Sequence, residues 1–192
     1  MLIAGSDVSG SDVDGQRRFI GFVIGTAERI NSIFNNLEMD RLHMSRLDED
    51  EREHVRNTLD FSANDIMAWC FNVEKQNIID YIYNHQNLRP KNRYKKKIYD
   101  HFDRLLLRMF RSELEDFTFS HSSRIEDLNV QCDKDTRDTI RVWHMNPNEE
   151  GRVYDLSDAI AWCNERNFSL DGCIERDFGN ELKNEMEIDL LK

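Results

Sequence analysis

The sequence predicts one α/β domain, a mixed β-sheet flanked by helices. Extended β-branched and aromatic runs alternate irregularly with stretches of helical periodicity. An early pair of extended runs reads as a hairpin that precedes mixed strand–helix units. No linker is strong enough to divide the 192 residues, a length that can bury a core without staples. The expected organisation is a single domain over 1–192 with a helical insertion at about 75–120.

The elements follow in order. Leu2-Ile3-Ala4 is a short strand that breaks into a polar, glycine-bearing turn through Gln16. Arg18 to Gly25 is β-branched and aromatic, a buried strand. Thr26 caps a helix whose Ile30, Ile33, Phe34 and Leu37 share one face. Met39 to Met44 alternates weakly, as a short strand does. Asp48 opens a charged helix, Glu49 to Leu59, whose acidic first turn suits the positive end of the helix dipole. Ile66 to Val73 is nearly continuous in apolar residues, the pattern of a central strand.

A helical block comes next. Ile78, Ile79, Ile82 and Tyr83 make a short amphipathic piece. Pro90 stands near the first turn of a longer helix, and Ile98, Phe102, Leu105, Leu106, Met109, Phe110, Leu114 and Phe117 follow its period. Leu128 to Cys132 is a strand with Asp133 at its tip. Ile140 to Trp143 fits strand or helix equally. Pro147 and Gly151 bracket a loop, Val153-Tyr154 is extended, and Asp155 or Ser157 caps a helix through Ile160, Ala161 and Cys163. The tail, 174–191, has helical character.

Composition narrows the function classes. Lys+Arg total 26 and Asp+Glu 37, so the net charge is −11, which weighs against a nucleic-acid contact spread over the whole surface. No apolar run approaches the roughly 20 residues that span a bilayer, and Met1 to Ala4 has no signal-peptide pattern. Cys70, Cys132, Cys163 and Cys173 show no C-x-x-C spacing. Cys70, Cys132 and Cys163 sit in apolar segments as small core residues. Together these features predict a reducing, cytoplasmic setting without a membrane partner.

Three aspartates stand at element ends: Asp7 after the first strand, Asp133 after a later one, and Asp158 in the first turn of the late helix. Carboxylates at such ends can converge at one sheet edge and hold Mg²⁺ or Mn²⁺ through hard oxygen donors. Such ions activate water and stabilise a leaving oxygen in phosphodiester hydrolysis. Each aspartate taken singly is as readily a cap or turn residue. Asp155, one turn before Asp158, either shares the ion or caps the helix. His43 is a substrate or metal contact, or a structural histidine.

Asp7-Val8-Ser9-Gly10 resembles the Asp-x-Ser-Gly opening of RNase H-like proteins of uncharacterised function. Leu156-Ser157-Asp158-Ala159-Ile160-Ala161-Trp162 is similar to the Leu-Ala-Asp-x-x-Ala-Trp segment near the end of that group, and Leu42-His43-Met44-Ser45 to its Leu-His segment. The motifs are short, and their order carries the resemblance. It implies a ribonuclease-H-like sheet with strands one to three antiparallel and later strands parallel to the first. It also implies catalytic, metal-holding roles for Asp7 and Asp158, and by position for Asp133. The helical glutamate of active RNase H enzymes has no clear counterpart; Glu53 and Glu74 are the candidates.

Residues 89–97 hold Arg89, Lys91, Arg93, Lys95, Lys96 and Lys97 around Tyr94, and Arg104, Arg108 and Arg111 follow. Basic residues interleaved with an aromatic suit a phosphate backbone, so RNA or DNA contact is expected across 89–111, led by Arg93, Lys95, Lys96 and Lys97. A solvated face is the other reading. Asp48 to Glu51 reads as a solvated helix start. The stripe from Ile98 to Phe117 is core or a homodimer face, and Trp143, Trp162 and Phe178 are core or interface. The expected function is a Mg²⁺- or Mn²⁺-dependent nuclease. The alternative is a non-catalytic RNase H-like binding or assembly module that forms a homo-oligomer.

Overall fold

The structure, a computed structural model, describes residues 1–9, 16–78, 80, 111–124, 128–132, 146–148 and 151–177. β1 (Leu2–Ser9) and β2 (Arg17–Thr26) form the antiparallel hairpin, and β2 pairs antiparallel with β3 (Ile66–Glu74). β4 (Asn129–Cys132) runs parallel to β1, and β5 (Asn146–Asn148) parallel to β4. β6 (Cys173–Asp177) runs parallel to β3. These six strands lie in the order β5-β4-β1-β2-β3-β6. β3 runs with β1 because each is antiparallel to β2, so β4, β5 and β6 all run with β1, as expected from sequence.

Helices α1 (Ala27–Leu37), α2 (Glu49–Thr58), α3 (Arg111–Ser120) and α4 (Arg152–Glu165) accompany the sheet, and 75–78 are also helical. Thr26 caps α1 by accepting from the Arg29 N–H at 3.2 Å, and Ile30, Ile33, Phe34 and Leu37 are buried. Asp48 and Glu51 form a reciprocal capping box at the start of α2. α1, α2 and α4 share one core on one sheet face with Phe19, Val23, Ala68 and Cys70. On the other face Phe22, Trp69 and Phe71 form a row of rings with centroids 5.4 and 6.5 Å apart, the first pair tilted and the second near-parallel. Leu114 and Phe117 of α3 are buried, and Glu113 ties α3 to Arg176 of β6 by two hydrogen bonds of 2.8 and 2.9 Å.

Glycine sets how closely α4 lies on the sheet. A Cβ at Gly5 would strike the Val153 carbonyl, and one at Gly21 the Ser157 carbonyl. Val153, Ser157 and Ala161 recur every fourth residue, so one small-residue ridge of α4 runs over β1 and β2. Residue alternation along β1 then turns Gly5, Asp7 and Ser9 toward that helix.

Five expectations are corrected. β1 does not break after Ala4; Gly5 to Ser9 continue in register with β2, so Asp7 lies inside the strand. Residues 39–44 form no strand, because the Leu42 and Met44 N–H groups go to α4 carboxylates, and Met44–Arg46 is a 3₁₀ turn. Pro147 lies in β5, the edge strand, where a missing N–H is tolerated. Val153 and Tyr154 are helical; α4 starts after Gly151, neither Asp155 nor Ser157 caps it, and Asp158 lies in its second turn. Residues 173–177 are a strand paired with β3 and not the helix that the sequence pattern predicts. Asp133, Arg93, Lys95, Lys96, Lys97, Ile98, Trp143, Phe178 and the tail beyond Asp177 lie outside the described residues. No helix among the described residues is long and apolar enough to cross a membrane.

Candidate functional site

The register of the hairpin places Asp7 beside Gly21, and Gly21 lies directly beneath Ser157 of α4. The residue after Ser157 is Asp158. Close helix–sheet contact therefore brings the two aspartates together, and their side chains share a hydrogen bond. Asp7 is 8% exposed. Two carboxyl groups bonded to each other hold a proton between them, or a cation in its place.

The Asp158 carboxyl is pushed above the usual carboxylate range, chiefly by burial and further by the nearby Asp155. Three contacts oppose this: the Met44 N–H at 3.3 Å, the charge of His43, and the hydrogen bond to Asp7. His43 is held near Asp158 because α4 grips the chain on both sides of it, at the Leu42 and Met44 N–H groups. Asp155, 0% exposed, accepts from the Leu42 N–H at 2.9 Å and from Arg41 Nε and Nη2 at 2.6 and 2.9 Å. Its oxygens are taken up by the 41–42 segment, so it neither caps α4 nor stands open to an ion. Further along, Ser9 donates to Glu165 at the end of α4.

Of the expected site residues, the structure unites Asp7 and Asp158. β4 is delivered beside β1 with Cys132, the residue before Asp133, opposite Ser6, the residue before Asp7. Glu53 is an exposed residue of α2. Glu74 lies at the far end of β3 opposite Arg17, 3.9 Å from its guanidinium. Neither joins the pair, and no group of three or more His, Cys, Asp or Glu fit to hold a metal occurs among the described residues. Cys70 and Cys163 are buried core residues, and burial pushes the Cys163 thiol up to about 11, so neither is a nucleophile.

Sequence reasoning does not single out Arg41 or the Met44 N–H. The available signal is the pair Asp155 and Asp158, three apart on one helix and so able to hold one segment from two successive turns.

No family model matches the chain, and no curated protein matches it. Among solved structures, a chain from the PCNA:RNase HII complex of Archaeoglobus fulgidus is similar, with a TM-score of 0.49 and 13% identity over 88% of this chain and 74% of that one.

Proposed function

We propose that this chain is an RNase H-like, divalent-metal-dependent nuclease that cleaves phosphodiester bonds, with Asp7 and Asp158 as its central carboxylates. The contact between these two buried aspartates carries the reading. Two carboxyl groups pressed together in a dry place need a shared proton or a cation to relieve their repulsion, and the nuclease reading takes the cation. Short, rigidly based Asp side chains with only oxygen donors suit Mg²⁺ or Mn²⁺. The antiparallel hairpin, the parallel β4 and the position of Asp158 on a late helix agree with the motif order in the sequence.

Asp7 and Asp158 would hold the ion, with Asp133, the next residue in sequence after β4, as the third carboxylate. Bound there, the ion would supply Lewis-acid activation of water and neutralise charge on the phosphate. The chain's own groups do the rest. Asp7 is fixed by the strand ladder and Asp158 by the Met44 N–H. His43 lies within electrostatic reach of Asp158. The second reading, a non-catalytic RNase H-like binding module, draws on the lack of a third described carboxylate at the pair.

The test is cleavage of labelled RNA, DNA and hybrid with Mn²⁺ and with chelator, beside a Mn²⁺ titration of the melting temperature. Metal-dependent cleavage and a Mn²⁺-induced rise in Tm, both lost in Asp7→Asn, are expected. Cleavage that survives Asp7→Asn sinks the assignment. A Tm rise without cleavage favours the binding module.

A further inference from the structure

We propose that Glu165 is a positioning residue of the candidate site: through the Ser9 hydroxyl it clasps the end of β1 to the end of α4 and keeps Asp7 against Asp158. The proposal deepens the nuclease reading, on which its consequence for ion affinity rests.

The seam between β1 and α4 has two ends. At one end backbone meets backbone. Gly5 lies against the Val153 carbonyl, and Gly21, the partner of Asp7 across the hairpin, lies against the Ser157 carbonyl. Val153, Ser157 and Ala161 recur every fourth residue, and the next residue in that line is Glu165. Gly5, Asp7 and Ser9 alternate onto one face of β1. The small-residue line of the helix thus ends in a long carboxylate side chain, and the facing line of the strand ends in a hydroxyl. The two meet, because Ser9 Oγ donates to Glu165 Oε2. The aspartate pair lies between the glycine contacts and this bond.

The change of residue size has a geometric cause. Four strand residues from Gly5 to Ser9 advance ~13 Å at about 3.3 Å each, whereas α4 rises about 18 Å from Val153 to Glu165 at ~1.5 Å per residue. The two lines fall out of step by about 5 Å, more than a small side chain spans. The length of a glutamate makes up the difference.

Two carboxyl groups in contact repel whenever both are ionised. With contacts at the glycine end alone, α4 could pivot about them and let the pair part. A bond at the other end opposes that pivot. The other ties of α4 beside the pair run elsewhere, since Asp155 and Asp158 hold the 41–44 segment and not β1. Arg166 also meets Glu165, at 2.7 Å, but both side chains are partly exposed and adjacent in sequence. Such a pair is screened by water and fastens nothing to the strand. Glu165 reaches β1 through Ser9.

Full-length wild type, Ser9→Ala, Glu165→Ala, Glu165→Gln and Arg166→Gln are compared in two measurements. The first is a Mn²⁺ titration of the melting temperature, with cleavage of labelled RNA, DNA and hybrid read beside it. Ser9→Ala and Glu165→Ala should raise the Mn²⁺ concentration for a half-maximal Tm rise about tenfold or more, the usual effect of losing a group that orients a metal ligand. Glu165→Gln keeps an oxygen for the Ser9 hydroxyl but loses the charge, so it should respond like wild type, and so should Arg166→Gln. The second measurement needs no metal. In chelator at neutral pH, the Tm gain from Asp158→Asn should shrink by at least about half in the Ser9→Ala background, because unclasped carboxyl groups are already free to part. Two substitutions that merely lower stability at separate places add instead. Simple addition of Ser9→Ala and Asp158→Asn overturns the clasp. So does a Mn²⁺ midpoint unchanged by Ser9→Ala and Glu165→Ala in a protein that responds to Mn²⁺. Glu165→Gln as damaging as Glu165→Ala overturns it too, since Glu165 then acts by its charge. Metal-dependent cleavage by wild type beside any of these results leaves the nuclease reading standing. Coupling in chelator with neither a Mn²⁺ response nor cleavage removes the nuclease reading and keeps the clasp.

Discussion

Replacing Arg41 by alanine should unfasten the segment that carries His43 and Met44 from α4. Asp155 is 0% exposed and accepts three hydrogen bonds, two of them from Arg41 at 2.6 and 2.9 Å. Removing one partner of a fully buried ion pair costs about 3–5 kcal/mol, because the remaining charge stays desolvated. The Arg41 side chain is 44% exposed, so water already screens part of the pair and will partly replace the missing guanidinium. The Leu42 N–H also stays in place. The expected loss is therefore about 2–3 kcal/mol, or a Tm lowered by roughly 4–12 °C at ~2–4 °C per kcal/mol for a chain of this size. Urea and thermal unfolding of wild type, Arg41→Ala, Asp155→Ala and the double variant measure it. The double-mutant cycle should show that most of the loss belongs to the pair. A loss below about 0.5 kcal/mol in Arg41→Ala, with no coupling to Asp155, would refute the idea that this pair fastens the segment.

Three further expectations concern the same region. Gly21→Ala drives a methyl group into the Ser157 carbonyl and should cost about 1–3 kcal/mol or more; because it lifts α4 off β2, any Mn²⁺-induced rise in Tm should shrink with it, and a variant as stable and as Mn²⁺-responsive as wild type contradicts the close-contact account. Asp158 has a raised carboxyl pKa, so its contribution to stability is full below the unfolded value and is lost as pH rises through the folded one. In chelator, Asp158→Asn should thus melt above wild type at neutral pH, by a margin that narrows toward pH ~4; a margin independent of pH counts against burial as the cause. Asp48→Ala removes the cap of α2 and should cost about 1 kcal/mol by urea unfolding, without altering the Asp7–Asp158 pair.

The elements read best from sequence are those whose stabilisation is local. Thr26 and Asp48 announce helix starts through side-chain capping, and α1 displays its buried face in the spacing of Ile30, Ile33, Phe34 and Leu37. β2 and β3 are legible because strands covered on both sides are apolar throughout. The start of α4 is hidden in the sequence because Gly151 caps it without a side chain. The helix also buries polar Asp155 and Ser157 beside apolar residues, which erases the amphipathic signal. β6 is ambiguous because its charged residues, Glu175, Arg176 and Asp177, suit an edge strand as well as a helix.

The candidate site divides along the same line. Sequence by itself determined that Asp7 opens a motif near a first strand, that Asp158 belongs to a late helix, and that neither a membrane span nor a cysteine-based metal motif is present in the pattern. It also set the alternation that turns Asp7 and Gly5 to one face. Tertiary structure alone decided that Asp7 meets Asp158, across 151 positions of chain, because two glycines let α4 settle against β1 and β2. It likewise decided that Asp155 is taken up by the 41–42 segment while Asp158 meets Asp7. The two are chemically identical and three residues apart. Only the neighbours differ: Arg41 and the Leu42 N–H take up the oxygens of Asp155, whereas Asp158 is left facing a second carboxyl group. Such a difference arises from contacts made on folding, and those contacts have no local signature in the chain.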